Sequence, residues 1–230
     1  MTNPFDNTKI YFWLAAPYFI SIGLLYLWAY WSSFGINILE YAGLSDVAKV
    51  AIIPVGSVFI FLLFGFFIGE FGYVSRIRFP TGGGRNTSTG IFLRKYEGLF
   101  IFFYFLFLFF LIYTSLPGKW IVLPIWGMFA PYFILKNTTF LSEINNDSVR
   151  SLIIAILVIL PIFSFCQGKI NADKILNNTE YMYIKGSKPD EQMKYVGYIN
   201  QVTFLISMDN NHVRIVRLDK DQLDLFKYKK

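Results

Sequence analysis

Five stretches of this chain contain no Asp, Glu, Lys or Arg: Tyr11–Trp31, Ala51–Gly69, Gly98–Pro117, Trp120–Leu135 and Ser151–Gly168. Each runs for roughly 16–21 residues, and a bilayer hydrocarbon core of ~30 Å is crossed by about 20 helical residues. The fourth run is short, but Lys136 can snorkel from its end. The rest of the composition agrees with burial in lipid. Only 16% of the 230 residues are charged, against roughly 25% in an average water-soluble domain, and 26 are Phe. The expected fold is therefore a membrane protein, an α-helical bundle of about five transmembrane helices with four as the alternative, plus a small C-terminal antiparallel β module. The expected spans cover about 11–31, 51–72, 98–117, 120–139 and 150–167, with a basic loop over 73–97 and a C-terminal module over 168–230.

Orientation follows from Lys and Arg in the connections. Eight lie on the N-terminal side (Lys9, Arg76, Arg78, Arg85, Arg94, Lys95, Lys136, Arg150), against four on the other (Lys49, Lys119, Lys169, Lys174). The bias predicts a multi-pass protein of a bacterial inner membrane, with a cytoplasmic N-terminus and an extracytoplasmic C-terminal module. The N-terminal MTNPFDNTK lacks the basic start of a cleaved signal peptide. The net charge of +6 is then explained by topology and lipid headgroups, without a direct nucleic-acid partner.

Particular residues carry further expectations. Gly65, Gly69 and Gly72 stand near helical spacing and predict a small-residue face for close helix packing, within the chain or in a homo-oligomer. Pro17, Pro54, Pro124, Pro131 and Pro161 predict helix kinks, because each removes a backbone donor and frees a carbonyl one turn earlier. The run GLFIFFYFLFLFFLIYTSL is predicted to face lipid, and the LPGK turn after it predicts a helical hairpin. GGGRNTSTG, at 82–90, lacks the lysine offset of a phosphate-binding loop and reads as a tether or a docking segment for a cytoplasmic partner. Arg76 and Arg78 before it, with Arg94 and Lys95 after it, are predicted to grip anionic lipid headgroups.

Chemistry-bearing residues are sparse. His212 is the one histidine, Cys166 the one cysteine, and no carboxylate lies within a run. Glu40, Asp46, Glu70 and Glu97 form no recognisable acid–base pair. No catalytic residue, metal site or cofactor is expected. After the last run the apolar period shortens: YMYIKG, KYVGYI, QVTFLIS and HVRIVRL read as strands, with a turn at Met208–Asn211. Asn177 or Asn178 is placed to cap the helix before them. His212, Arg214 and Arg217 would form a basic edge.

GKINADKIL, with Gly168, Lys169, Ala172, Ile175 and Leu176, followed by YMYI and KYVGYI, resembles a pattern in uncharacterised bacterial multi-pass membrane proteins. There the same juxtamembrane stretch precedes a small β module. The resemblance covers about 165–218 and implies an architecture but no activity; some antiphage membrane components share the plan. The functional expectation is a non-enzymatic membrane sensor or scaffold that self-associates and couples its β module to its helices. A channel or pore-forming effector is the alternative, and a lipid- or glycan-modifying enzyme a remoter one.

Overall fold

The computed structural model describes residues 4–71, 88–114, 118–127, 134, 138–142, 144, 147–184, 192–217 and 225–229. The helices are α1 (Pro4–Ser32), α2 (Leu44–Phe71), α3 (Ser88–Lys95), α4 (Glu97–Tyr113), α5 (Lys119–Gly127) and α6 (Asp147–Leu176), with a 3-10 turn at Ile38–Glu40. The strands are β1 (Glu180–Ile184), β2 (Met193–Ile199), β3 (Val202–Ser207), β4 (Val213–Val216) and β5 (Leu225–Lys229).

The expected bundle of five, or four, membrane spans is not the fold. Among the described residues one helical segment, Leu152–Leu176, is long and apolar enough to cross a bilayer, with 25 residues and a mean hydropathy of 2.1 over its most apolar 18-residue window. Helix α4 has 17 residues, which at 1.5 Å per residue reach only about 25 Å. A charge-free run does not guarantee a helix of equal length: Thr114 already takes extended backbone, ending α4 before Pro117. The arrangement is α+β, helices packed against a five-stranded antiparallel sheet of order β4-β3-β2-β1-β5.

Small residues set the helix packing. Ser164, Gly168 and Ala172 recur every four residues along α6, and all three are fully or nearly fully buried. A side chain at Gly168 would put its Cβ 2.6 Å from the Tyr26 carbonyl oxygen and 2.9 Å from Ala29 Cβ, so α1 lies directly on this stripe. Polar contacts reinforce the crossing. Ser164 Oγ donates to the Ile22 carbonyl at 2.7 Å, Asn171 donates to Tyr26 Oη at 2.8 Å, and Tyr18 Oη donates to the Ile156 carbonyl at 3.0 Å. The contacts advance in the same direction along both helices, so α1 and α6 run parallel. Helix α2 returns antiparallel to α1, with Gly23 against Val47 and Ala51. Asp46 accepts the Gly43 backbone N–H at 3.1 Å, which caps its start.

The hairpin of α4 and α5 forms as the LPGK turn suggests, with Gly118 at φ +78°. Tyr104 and Trp126 hold it, their rings stacked at 5.3 Å and each donating to the other's backbone carbonyl at 3.3 Å. Pro17, Pro54, Pro124 and Pro161 lie inside helices. Pro131 and Gly72 lie outside the described residues, as do Arg76, Arg78 and 73–87 of the expected basic loop, whose remainder is not loop but carries helix α3.

The sheet is a meander from β1 to β4, with β5 returning to pair with β1. Asn200 and Gln201 at φ +47° and +64° make the two-residue turn between β2 and β3. Cross-strand ring pairs, Tyr181 with Tyr228 at 5.0 Å and Tyr183 with Phe226 at 5.7 Å, support the register of β5. One core joins the layers: Leu27 and Trp31 of α1, Val47 of α2 and Ala172 of α6 pack with Val196, Phe204 and Ile206 of the sheet.

Alanine substitution separates the tight glycine contact from an open one. Gly168→Ala is expected to destabilise the fold by about 1–3 kcal/mol, because its methyl meets backbone that cannot swing aside. Gly56→Ala has open space around it, and the gain in helix propensity makes it neutral or stabilising by up to ~1 kcal/mol. Thermal unfolding in detergent measures both; equal effects would refute the packing described.

Candidate functional site: the helix–sheet junction

Helix α6 runs without a break from Asp147 to the edge of the sheet, and three residues separate it from β1. Its end is a Schellman motif. Thr179 N–H donates to the Lys174 carbonyl at 3.0 Å, Asn178 N–H to the Ile175 carbonyl at 3.2 Å, and Asn178 sits at φ +55°. Asn tolerates this left-handed backbone better than most residues, which is why the chain can turn here without glycine.

The sheet then reaches back to the same helix end. Lys194 of β2 is fully buried. Its Nζ donates to Asn178 Oδ1 at 2.9 Å, to the Ile175 carbonyl at 3.3 Å and to Asn210 Oδ1. Asn210, at φ +64° in the turn after β3, donates through Nδ2 to the Leu176 carbonyl at 3.0 Å. A cation thus stands at the negative end of the helix dipole, and two of the last carbonyls are satisfied from the sheet. Asp209 braces this turn. It accepts hydrogen bonds from Ser207 Oγ and from the Asn211 amide, which hold its carboxyl below the usual range. Burial lowers the Lys194 pKa from the ordinary lysine value, while the nearby Asp209 charge opposes that shift.

A second set of contacts ties α1 to the sheet. The register of β2 against β3 shifts between Tyr195 and Gly197, leaving Val196 at a bulge. Its carbonyl accepts from Tyr30 Oη at 2.5 Å. Gly197 beside it leaves room for the Trp31 ring, since a Cβ there would lie 2.9 Å from two ring carbons. Trp31 packs edge-on to Phe204 at 4.8 Å.

Just below the junction, aromatic and basic groups gather at one level. Trp28 of α1 and Trp120 of α5 each lie 5.6 Å from the Phe165 ring of α6. Lys169 Nζ donates to Ser33 Oγ at 3.1 Å and Ser32 Oγ at 3.3 Å. On the far side, Glu40, Tyr41, Tyr198, Asn200, Gln201 and Arg217 line an open cleft of about 1,010 Å³ between the 3-10 turn and the sheet.

Few of the residues singled out by sequence belong to the junction. Gly65 and Gly69 lie on α2 and Arg94 on α3, but their packing falls outside what is described. Lys95 is exposed, 5.5 Å from the centre of the Tyr96 ring. Glu40 accepts from Asn37 at 2.7 Å and Asp46 caps α2, so both have local structural partners. Among the described residues no three His, Cys, Asp or Glu side chains cluster as metal ligands would. The long-range contacts of Lys194, Asn210 and Tyr30 and the packing of the Ser164–Gly168–Ala172 stripe were not anticipated, although a lysine inside the apolar strand MKYVGYI and the S-x-x-x-G-x-x-x-A spacing were visible signals. Comparison with known proteins returned no matching family model, no similar curated protein and no similar solved structure.

Lys194→Met is expected to cost about 1–3 kcal/mol at neutral pH, since the buried acceptors lose their shared donor. The pH dependence has a definite sign. With the folded-state pKa below the unfolded value, the unfolded chain binds more protons between the two. Wild-type stability therefore rises, relative to Lys194→Met, as pH climbs through the window just below the ordinary lysine value. Denaturant titrations of both proteins from pH 7 to pH 10.5 measure the difference; a falling or flat difference contradicts the burial of the ammonium.

Proposed function

We propose that this chain is a membrane-anchored, non-enzymatic sensor or scaffold in which α6 crosses the bilayer and moves as one body with the sheet. The observation that carries the reading is the continuity of a helix of spanning length and apolarity with a sheet that hydrogen-bonds its last carbonyls. A tilt or axial shift of α6 would act on β2 and on the turn at Asn210 directly, because no flexible linker intervenes to absorb it.

Exposed apolar surface supports the membrane side of the proposal. Phe102, Phe103, Phe105, Phe109 and Phe110 of α4 are exposed, a run of bare aromatic rings that suits lipid better than water. The ring layer of Trp28, Trp120 and Phe165 is suited to a headgroup interface near the sheet. The absence of an acid–base pair in the sequence-derived candidates favours a signalling or structural role over lipid chemistry.

Bilayer thickness provides the test. Reconstituted protein in vesicles of short-chain and long-chain phosphatidylcholine places different mismatch on α6. Amide exchange in β2 and β3 is expected to differ by at least about threefold between the two, and the difference is expected to shrink in Lys194→Met/Asn210→Ala. Identical exchange in both bilayers would refute coupling, and release of the protein by alkaline carbonate would refute the anchor.

A further inference from the structure

We propose that Lys119 and Lys169, converging on the Trp120 ring, form a binding site for a single phosphate group, supplied by an anionic lipid headgroup; the headgroup assignment rests on the membrane reading above. Lys119 Nζ lies 4.7 Å from the centre of the Trp120 ring and Lys169 Nζ 6.0 Å from it. Lys169 is also 5.9 Å from the Phe165 ring. Two ammonium groups that repel each other are thus held over one indole by separate helices, an arrangement that an anion between them would stabilise.

The surroundings favour an anion with several acceptor oxygens. Lys119 is the first residue of α5, where the helix dipole adds positive potential. Among the described residues, Lys119 donates to the Thr114 carbonyl at 2.8 Å and Lys169 to the two serine hydroxyls. An ammonium has three protons to donate, so both retain capacity for a further acceptor. Asp173, one turn beyond Lys169 on α6, attracts both lysines but forms no ion pair with either, and it leaves the group with net positive charge. Both lysines and Trp120 are half-buried, which weakens the competition from water and salt. The site lies at the Trp28–Trp120–Phe165 level, where a lipid phosphate would sit if α6 spans.

Lysine acetylation rates in the unmodified full-length chain test this without relying on a variant that must fold. Rates at Lys119 and Lys169 are read by peptide mass spectrometry in three settings: phosphatidylcholine nanodiscs, the same discs with one-fifth phosphatidylglycerol, and phosphatidylcholine discs with added inorganic phosphate. Lys227, on the outer strand of the sheet, serves as the reference. The expected result is about fivefold or greater protection of both lysines by phosphatidylglycerol, with Lys227 unchanged. Protection by inorganic phosphate as well supports the phosphate site but assigns it to the free ion rather than the headgroup. Equal rates in all three settings would overturn the site while leaving the anchor intact. If the chain fails to enter discs, the anchor fails instead, and the inorganic phosphate arm run in detergent still decides the site. In native mass spectrometry, Lys119→Gln/Lys169→Gln is expected to bind phosphatidylglycerol about tenfold more weakly; unchanged binding would count against the proposal.

Discussion

A helix whose end is half covered by a sheet must find partners for its last carbonyl groups, and that requirement organises this molecule. Helix α6 ends against the sheet rather than in water, so Ile175 and Leu176 cannot rely on solvent alone. The local Schellman turn satisfies part of the need, and Lys194 and Asn210 supply the rest from two different parts of the sheet. Each is held by further structure: Lys194 by its place in a central strand, Asn210 by a turn that Asp209 and Ser207 brace. The helix end and the sheet therefore order one another. Neither polar side chain would be tolerable at its position if the other layer were absent.

The same dependence holds for the apolar contacts. A five-stranded sheet of short strands has too little interior of its own for much stability. Here its inner residues, Val196, Phe204 and Ile206, are buried by Leu27, Trp31 and Ala172 from two helices. The bulge at Val196 shows how closely the layers fit. It releases one carbonyl from the ladder, and Tyr30 takes that carbonyl; the adjacent Gly197 gives Trp31 its place. Removing the helices would expose both the ring pocket and the freed carbonyl. Sheet and helices thus share one core and belong to one cooperative unit.

Much of the local structure was legible in the residues, and the assembly was not. The runs YMYI, KYVGYI, QVTFLIS and HVRIVRL correspond to β1 through β4 because β-branched and aromatic residues cluster between turn formers. Met208–Asn211 does turn, and Asn178 does take left-handed backbone at the helix end. The long-range role of Asn210 was invisible, because a turn asparagine looks the same whether its side chain faces water or a distant helix. Charge-free length misled the helix reading. It treats every apolar run as a span, whereas α4 stops where Thr114 takes extended backbone. The residues at Gly168 and Ala172 were noticed as part of a resemblance, yet their four-residue spacing is itself a packing signal, which the more familiar glycines of α2 overshadowed.

Why a lysine should occupy the junction, when a methionine of similar volume would fill the space, is a question of direction. Apolar contacts such as those of Ile175 and Leu176 with the shared core are non-directional. Hydrogen bonds are not so permissive. One residue of rotation turns the helix by about 100° and carries the Ile175 and Leu176 carbonyls away from their donors. A buried ammonium without those acceptors is costly, so the knot penalises every orientation but one. The knot thus fixes the rotation of α6 at its end, as the Ser164–Gly168–Ala172 stripe against α1 fixes it further down the helix.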